Sequence, residues 1–355
     1  MAIVVLAGVF TCSRESEQKA EPVNRTSSSL PHLINPSLRA VGKRIGSWFP
    51  TRVSRRLRVI AWIYLAAQIL LVGTGGLVRL TSSGLGCPTW PRCTADSIVN
   101  TPEMGIHGVI EFGNRLLGVA LGLLAVVAFL AVVRLRRERP DLFRLALFAG
   151  LGIPAQAVIG GISVLMQLNP YVVGLHFVIS VALVALCTAF VYRVYTGNAP
   201  RTLVVPRGFA VLAHVTSFVV LVTIMVGILT TGSGPHAGDA NAPRNGLDSE
   251  LLQHIHSWPA YLTFVLTIAL LVSAFRRNLP VQRLVGLLLV VEFFQIAGGL
   301  LQANIGLPPF LVGIHMVLAC ALAAAMTGVI LYLKEPADLV AVADNNRDRE
   351  AVTHR

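Results

Sequence analysis

The chain has 355 residues, of which 54% are hydrophobic and only 13% are charged. About 25% charged residues is usual in soluble domains, so this composition excludes an ordinary soluble protein and indicates a membrane protein. The formal net charge of +12 would suit nucleic-acid binding. That class is excluded because the arginines lie between apolar segments, where membrane topology places them, and no basic stripe is interleaved with aromatic residues.

The N-terminal part of the chain is predicted to be a tail. Residues 1–12 are apolar but too short to cross a bilayer, and no basic segment precedes them, so we predict no signal peptide. Residues 13–56 are polar and rich in Ser and Arg, which is typical of disorder. The predicted domains are a cytoplasmic tail at 1–56, two membrane bundles at 57–200 and 201–333, and a cytoplasmic tail at 334–355.

Eight apolar segments are long enough to span a membrane as helices. They cover about residues 57–78, 106–133, 141–164, 171–195, 207–231, 250–274, 281–303 and 308–333. Loops rich in arginine alternate with loops that hold few basic residues. The positive-inside rule therefore predicts that both termini are cytoplasmic and that the long loops at about 79–105 and 232–249 lie outside.

Helices 1–4 and 5–8 are predicted to be two copies of one four-helix unit. Residues 169–183 and 308–322 contain proline, an aromatic residue, Val-Gly, an aliphatic residue, His and an apolar run in the same order. A Gly-Gly pair precedes each stretch, at Gly160-Gly161 and at Gly298-Gly299. An even number of helices per unit gives both copies the same orientation. The predicted fold is therefore an all-α integral membrane protein with two parallel-repeat four-helix bundles.

Two cysteines, Cys87 and Cys93, lie in the first outer loop, in Cys-Pro-Thr-Trp-Pro-Arg-Cys. A short loop with prolines can bring two cysteines to bridging distance, and disulfides persist outside the inner membrane. We predict a disulfide here. Two free thiols, or a thiol pair that cycles with a redox partner, are the alternatives.

Five of the nine histidines lie in the first turns of the even-numbered helices, namely His107, His176, His254, His256 and His315. All four helices enter from the outside, so these side chains share one depth near the outer leaflet. A lone membrane histidine is often a hydrogen-bonding core residue. Histidines at the same depth on four helices are harder to explain in that way. Zinc usually needs four clustered ligands or cysteine support. Paired histidines on facing helices suit a heme, so we predict one heme in each bundle.

Helix 2 carries an intramembrane carboxylate, Glu111, which shares a helix face with His107, Asn114 and Arg115. An ionisable residue within a membrane-spanning helix is by default a candidate functional residue. The alternative is a structural ion pair between Glu111 and Arg115 at i,i+4.

The two predicted bundles differ at this carboxylate. Aligning helix 6 with helix 2 places Gln253 opposite Glu111 and His256 opposite Asn114. The N-terminal bundle is therefore interpreted as the site of chemistry and the C-terminal bundle as the holder of a cofactor. A second buried acid, Glu292 on helix 7, is predicted only to hydrogen-bond with Gln295 or water.

These features together resemble the heme A synthase family, over about residues 57–333. The resemblance rests on the two four-helix repeats, Gly-Leu-Gly-Cys with a second Cys in the first outer loop, Glu-x-x-x-Arg on helix 2, and His on helices 4, 6 and 8. It implies an oxidoreductase that converts the C8 methyl group of heme O to a formyl group. The conversion proceeds through successive hydroxylations with water as the oxygen source, and it gives heme A for cytochrome oxidase.

The resemblance also implies roles for individual residues. His256 and His315 would bind a heme b in the C-terminal bundle, and His176 would bind the iron of heme O in the N-terminal bundle. Glu111 matches the catalytic glutamate, and Cys87 and Cys93 match the outer-loop disulfide. Arg115, His254 and Asn114 are expected to support these sites.

The sequence departs from the family at Asn114, where a histidine is common three residues after the glutamate. Either His176 alone binds the substrate iron, or His107 supplies the second ligand. The choice between His254 and His256 is also open, and we prefer His256 because it aligns with Asn114.

The expected partners are heme O, membrane lipid, an unidentified electron acceptor and, through the family, the heme O synthase. The expected location is the cell (inner) membrane, with the heme sites toward the outer face. Two other functions remain to be distinguished. A non-catalytic di-heme cytochrome b would not need Glu111 opposite Gln253, and a transporter would place its site nearer the midplane.

Overall fold

The structure, a computed structural model, describes residues 50–336. Within that range, eight helices are long and apolar enough to cross a membrane, which confirms the all-helical membrane prediction. They are α1 (Arg55–Leu80), α2 (Gly105–Val133), α3 (Pro140–Leu165), α4 (Pro170–Tyr195), α5 (Arg207–Ser233), α6 (Ser249–Arg276), α7 (Gln282–Asn304) and α8 (Pro309–Tyr332). Most of the two predicted tails, residues 1–49 and 337–355, lies outside the described residues.

Local sequence signals fix where the histidine-bearing helices begin. Asn169 precedes α4, and its side-chain Oδ1 accepts a hydrogen bond from the Tyr171 N–H at 3.0 Å. Asp248 precedes α6 and accepts from the Leu251 N–H at 2.9 Å. Proline is the first residue of α3, α4 and α8, where its missing N–H costs nothing. These starts set the depth of each histidine along its helix.

The helices pack as two rings of neighbours. In the first half, α1 packs on α2, α2 on α3, α3 on α4, and α4 on α1. The second half repeats this order from α5 to α8, and α8 packs back on α5. Contacts of α8 with α1 and α4, and of α4 with α5, join the halves. Each half thus has the neighbour order of a four-helix bundle, while the functional division at residue 200 stays a prediction.

A short two-stranded ribbon is an element that the sequence did not predict. Strand β1 (Arg201–Leu203) pairs antiparallel with β2 (Lys334–Pro336), so that Thr202 faces Glu335. The Arg201 guanidinium lies over the Tyr192 ring, 4.7 Å from its centroid. The ribbon ties the linker between the two halves to the chain that follows α8, at the end of the molecule where the arginine-rich loops lie.

At the opposite end, Arg79 joins the loops of the two halves. Its side chain leaves the last turn of α1 and donates to the carbonyl oxygens of His236, at 2.6 Å, and Thr231, at 2.8 Å. The Gly84 N–H donates to the Gly238 carbonyl at 2.8 Å. The loop after α1 therefore rests on the loop after α5, which restrains the segment that carries Cys87 and Cys93.

Candidate functional site

Glu111 is held in place at both of its carboxylate oxygens. Its residue is only 5% exposed. Oε2 accepts a hydrogen bond from the Cys87 N–H at 2.6 Å, and Oε1 accepts one from Arg115 Nη2 at 2.6 Å. The structural ion pair considered from the sequence is therefore present, and the bond to the loop backbone is an addition that the sequence did not predict. The cation and the amide donor offset the free-energy cost of burying the charged carboxylate.

Arg115 extends this contact into the loop. Its guanidinium donates to the carbonyl oxygens of Cys87 at 3.0 Å, Thr89 at 3.1 Å and Arg92 at 3.2 Å. Cys87 and Cys93 form the predicted disulfide, with their Cα atoms 4.4 Å apart, and both are fully buried. We call residues 87–93 the disulfide loop. Glu111 and Arg115 together fasten it to α2.

Replacing Arg115 with Gln should loosen the disulfide loop. Hydrogen bonds to charged groups contribute about 1.5–3 kcal/mol each, so losing several of them should speed amide exchange in this loop by about tenfold or more. Hydrogen–deuterium exchange of loop peptides measures this. Arg92→Gln is the matched control, because Arg92 is exposed and its guanidinium bonds only the Ala95 carbonyl at 3.1 Å within the described range. Equal exchange in the two variants would contradict the role assigned to Arg115.

The disulfide loop covers part of the first half through Trp90. A Cβ atom added at Gly161 on α3 would overlap the Trp90 ring. The adjacent glycine, Gly160, packs against the ring of His176 on α4. The loop held by Glu111 therefore reaches the neighbourhood of His176, one residue away along α3. Sequence reasoning missed Trp90, although it noted the Gly-Gly pair beneath it.

Three histidine rings lie directly against a glycine of the preceding helix. A Cβ at Gly160 would lie 3.2 Å from His176 Cε1, and one at Gly299 would lie 3.2 Å from His315 Cε1. At Gly227 the distance to His256 Cε1 would be 2.8 Å. A Cβ at 2.8 Å would force the ring to shift, and one at 3.2 Å would be closer than most real Cβ contacts. The glycines thus allow the imidazoles to sit between helices.

The same three rings are short of hydrogen-bond partners. Within residues 50–336, the buried Nδ1 atoms of His176, His256 and His315 lack a hydrogen bond of good geometry. The His256 and His315 rings lie edge to face, with centroids 6.3 Å apart. No group of three His, Cys, Asp or Glu side chains that could hold a bare metal ion occurs among the described residues. Paired imidazoles with unmet polar atoms fit axial ligation of a heme iron, so the residues present are suited to that group.

The backbone beside these rings supports this interpretation. The ring of His256 lies close to the backbone of Thr223, and the ring of His315 lies close to the backbone of Gln295, in contacts too loose to count as hydrogen bonds of good geometry. Each of these residues lies four positions before the glycine against which the ring packs. Iron-binding histidines commonly direct their second nitrogen to a backbone carbonyl, which leaves the other nitrogen for the metal.

The other predicted site residues lie elsewhere. His254 is exposed on α6. His107 is also exposed, and its Nδ1 lies 2.9 Å from Ser83 Oγ in the loop after α1. Asn114 faces α1, where its Oδ1 accepts a hydrogen bond from Thr74 Oγ1 at 2.8 Å. The structure therefore groups His256 with His315 and leaves His254 and His107 outside that arrangement.

Glu292 has a different partner from the one predicted. It is 3% exposed, and its Oε1 accepts a hydrogen bond from Thr267 Oγ1 on α6 at 2.8 Å. In the described part of the chain, its Oε2 and the Oε1 of Gln295 have no partner. The prediction for Glu292 is a bond with Gln295 or water. The structure gives Thr267 on the neighbouring helix as its partner in place of Gln295, and a bond to water stays a prediction.

Comparison with known proteins agrees with the family resemblance of the sequence. A family model described as "Cytochrome oxidase assembly protein" matches residues 58–327. A heme A synthase from Geobacillus thermodenitrificans is 31% identical over 134 residues, which is 38% of this chain and 41% of the relative. One from Staphylococcus epidermidis is 26% identical over 230 residues, 59% of this chain and 73% of the relative. The chain thus spans about two-fifths of the length of the first of these relatives.

Proposed function

Because the chain belongs to the heme A synthase family of cytochrome oxidase assembly proteins, we propose that it oxidises heme O to heme A. The balanced half-reaction converts a ring methyl group and one water into a formyl group, four protons and four electrons, and an external acceptor takes the electrons. The observation that carries the proposal is that three histidine rings each pack against a glycine of the preceding helix, one in the first half and two in the second. That set fits one substrate heme and one resident heme.

In the second half, His256 and His315 are proposed to hold heme b. Their rings lie edge to face on α6 and α8, and Gly227 and Gly299 leave space for them between the helices. When bound, heme b supplies a one-electron redox centre. The two helices hold the imidazoles at a fixed separation, in surroundings of low dielectric constant.

In the first half, His176 is proposed to bind the iron of heme O, with Glu111 as the nearby carboxylate. Removing electrons from the methyl group builds positive charge there, and a fixed negative charge in a low-dielectric site stabilises it. Both oxygens of Glu111 are engaged by donors. This favours an electrostatic and positioning role over that of a free base toward water.

The orientation and partners follow from the same proposal. The arginine-rich loops and the ribbon would lie in the cytoplasm with both termini, and the histidines and the disulfide loop would lie toward the outer face. Heme O would come from the heme O synthase. Exposed apolar residues on the helices would contact lipid.

Replacing Gly227 with Ala should displace His256. The new Cβ would lie 2.8 Å from His256 Cε1, so the ring must move. We expect the heme content of the second half to fall severalfold, measured as heme per protein in the purified chain. Gly208→Ala in the same helix is the matched control, because a Cβ there meets nothing within 4 Å. Normal heme content in both variants would argue against this seat for the ligand.

The proposed activity is tested by extracting the hemes from membranes that contain the full chain and a supply of heme O, followed by chromatography. We expect heme A to appear only when the chain is present. Heme b in the protein with heme O left unchanged would instead support the non-catalytic cytochrome b.

A further inference from the structure

In each pair formed by an odd-numbered helix and the next helix, one side chain of the second helix lies against a glycine of the first. One of the four pairs differs from the other three in the type of that side chain. In α3/α4, α5/α6 and α7/α8 a histidine of the second helix packs on a glycine of the first. In α1/α2 the glycine is Gly75, and among the described residues an added Cβ there would have only Asn114 within 4 Å, with its Nδ2 at 4.0 Å, a looser contact than those of the three histidines. Asn114 therefore occupies on α2 the position that His256 occupies on α6. This equivalence comes from packing and agrees with the sequence alignment of the two helices.

Asn114 is also held in this position by another residue. Thr74, next to Gly75 on α1, donates its hydroxyl to Asn114 Oδ1 at 2.8 Å. An amide is neutral and a weak ligand for heme iron, whereas imidazole suits it. The position beside Gly75 is thus filled by a neutral side chain whose Oδ1 already accepts a hydrogen bond from Thr74.

His107 does not substitute for the missing histidine at this depth. It lies on the same face of α2 as Asn114 but two turns nearer the helix start, about 10 Å along the axis by the helical rise. At that level its ring is exposed and bonds Ser83 in the loop. The His176 ring lies against Gly160, and His176 is six residues after the first residue of α4. His107 therefore belongs to the loop layer above the site.

We propose that the substrate site of the first half holds heme O by His176 alone and leaves the opposite coordination position of the iron open on the side of Asn114. This inference rests on the proposed function, since it concerns how the substrate heme is bound. The two halves then differ in how many imidazoles bind the heme iron, with one in the first half and two in the second. A substrate that must enter and leave as product is then held by fewer bonds than a resident cofactor.

The test is carbon monoxide binding to the reduced, purified full chain after loading with heme O. An open position on ferrous iron takes up carbon monoxide, whereas an iron with two imidazoles resists it. We expect the wild-type chain to bind about one carbon monoxide per chain. Asn114→His should abolish this binding and add a second low-spin bis-imidazole signal in the electron paramagnetic resonance spectrum of the oxidised protein. His107→Ala and Asn114→Ala should bind carbon monoxide as the wild type does.

Different results overturn the inference or the proposed function. A wild-type chain that binds no carbon monoxide, with binding gained in His107→Ala, would make His107 the second ligand and overturn the inference alone. Carbon monoxide binding that survives in Asn114→His would also contradict it. Failure of the chain to take up added heme O, with the heme at His256 and His315 intact, would overturn the proposed substrate and the inference with it.

Discussion

Replacing Glu111 with Gln should stop the formation of heme A while leaving the heme b content unchanged. The substitution keeps the size of the side chain and removes its negative charge. Loss of one preorganised electrostatic contact to a developing charge costs about 10²–10³ in rate. Extraction and chromatography of the hemes from membranes of the variant measure both results together.

A matched control separates this charge from the effect of burial. Glu292→Gln changes another buried carboxylate, which accepts a hydrogen bond from Thr267 and lies in the other half. It should leave heme A formation near normal. Because Glu111 also accepts from the Cys87 N–H, hydrogen exchange of the disulfide loop must be measured in the same variant. Full activity in Glu111→Gln would remove its charge from the mechanism, and inactivity with a loosened loop would assign it a positioning role.

Replacing His256 with Ala should remove the heme b and with it the activity. His256 is one of two imidazoles that lie edge to face on α6 and α8. Loss of one axial ligand leaves the site with His315 alone, and we expect the heme per protein to fall by about half in a chain loaded with both hemes. The absorption spectrum of the purified, reduced protein measures this.

His254→Ala is the control for this experiment, because His254 lies two residues away on the same helix and is exposed. It should keep normal heme content. If His254→Ala lost the heme and His256→Ala kept it, the ligand assignment in the second half would be wrong.

The fold could be predicted closely because its signals are local. Apolar length gives each span, and proline or a capping side chain marks several of the helix starts. The disulfide was predicted from two cysteines six positions apart in one short loop. The common depth of His176 and His315 was also accessible, because both lie six residues after the proline that begins their helix. The prediction that His107 shares this depth is wrong, because His107 lies only two residues from the start of α2 and bonds Ser83 in the loop.

The contacts that define the site could not be read in the same way, because they join distant parts of the chain. The seat of His256 is Gly227 on another helix, and nothing in the sequence around either residue links them. The bond from the Cys87 N–H to Glu111 depends on how the loop folds back. His107 and Asn114 share a helix face, so periodicity alone could not distinguish them, and their contacts with Ser83 and Thr74 do.

The measurement that tests the central claim most directly is the conversion of added heme O by the purified full chain, in lipid and with a chemical electron acceptor. Chromatography with mass detection should show heme O consumed and heme A formed, with no conversion in matched Glu111→Gln protein. Recovery of unchanged heme O from a chain that retains heme b and an intact Cys87–Cys93 disulfide would contradict the claim.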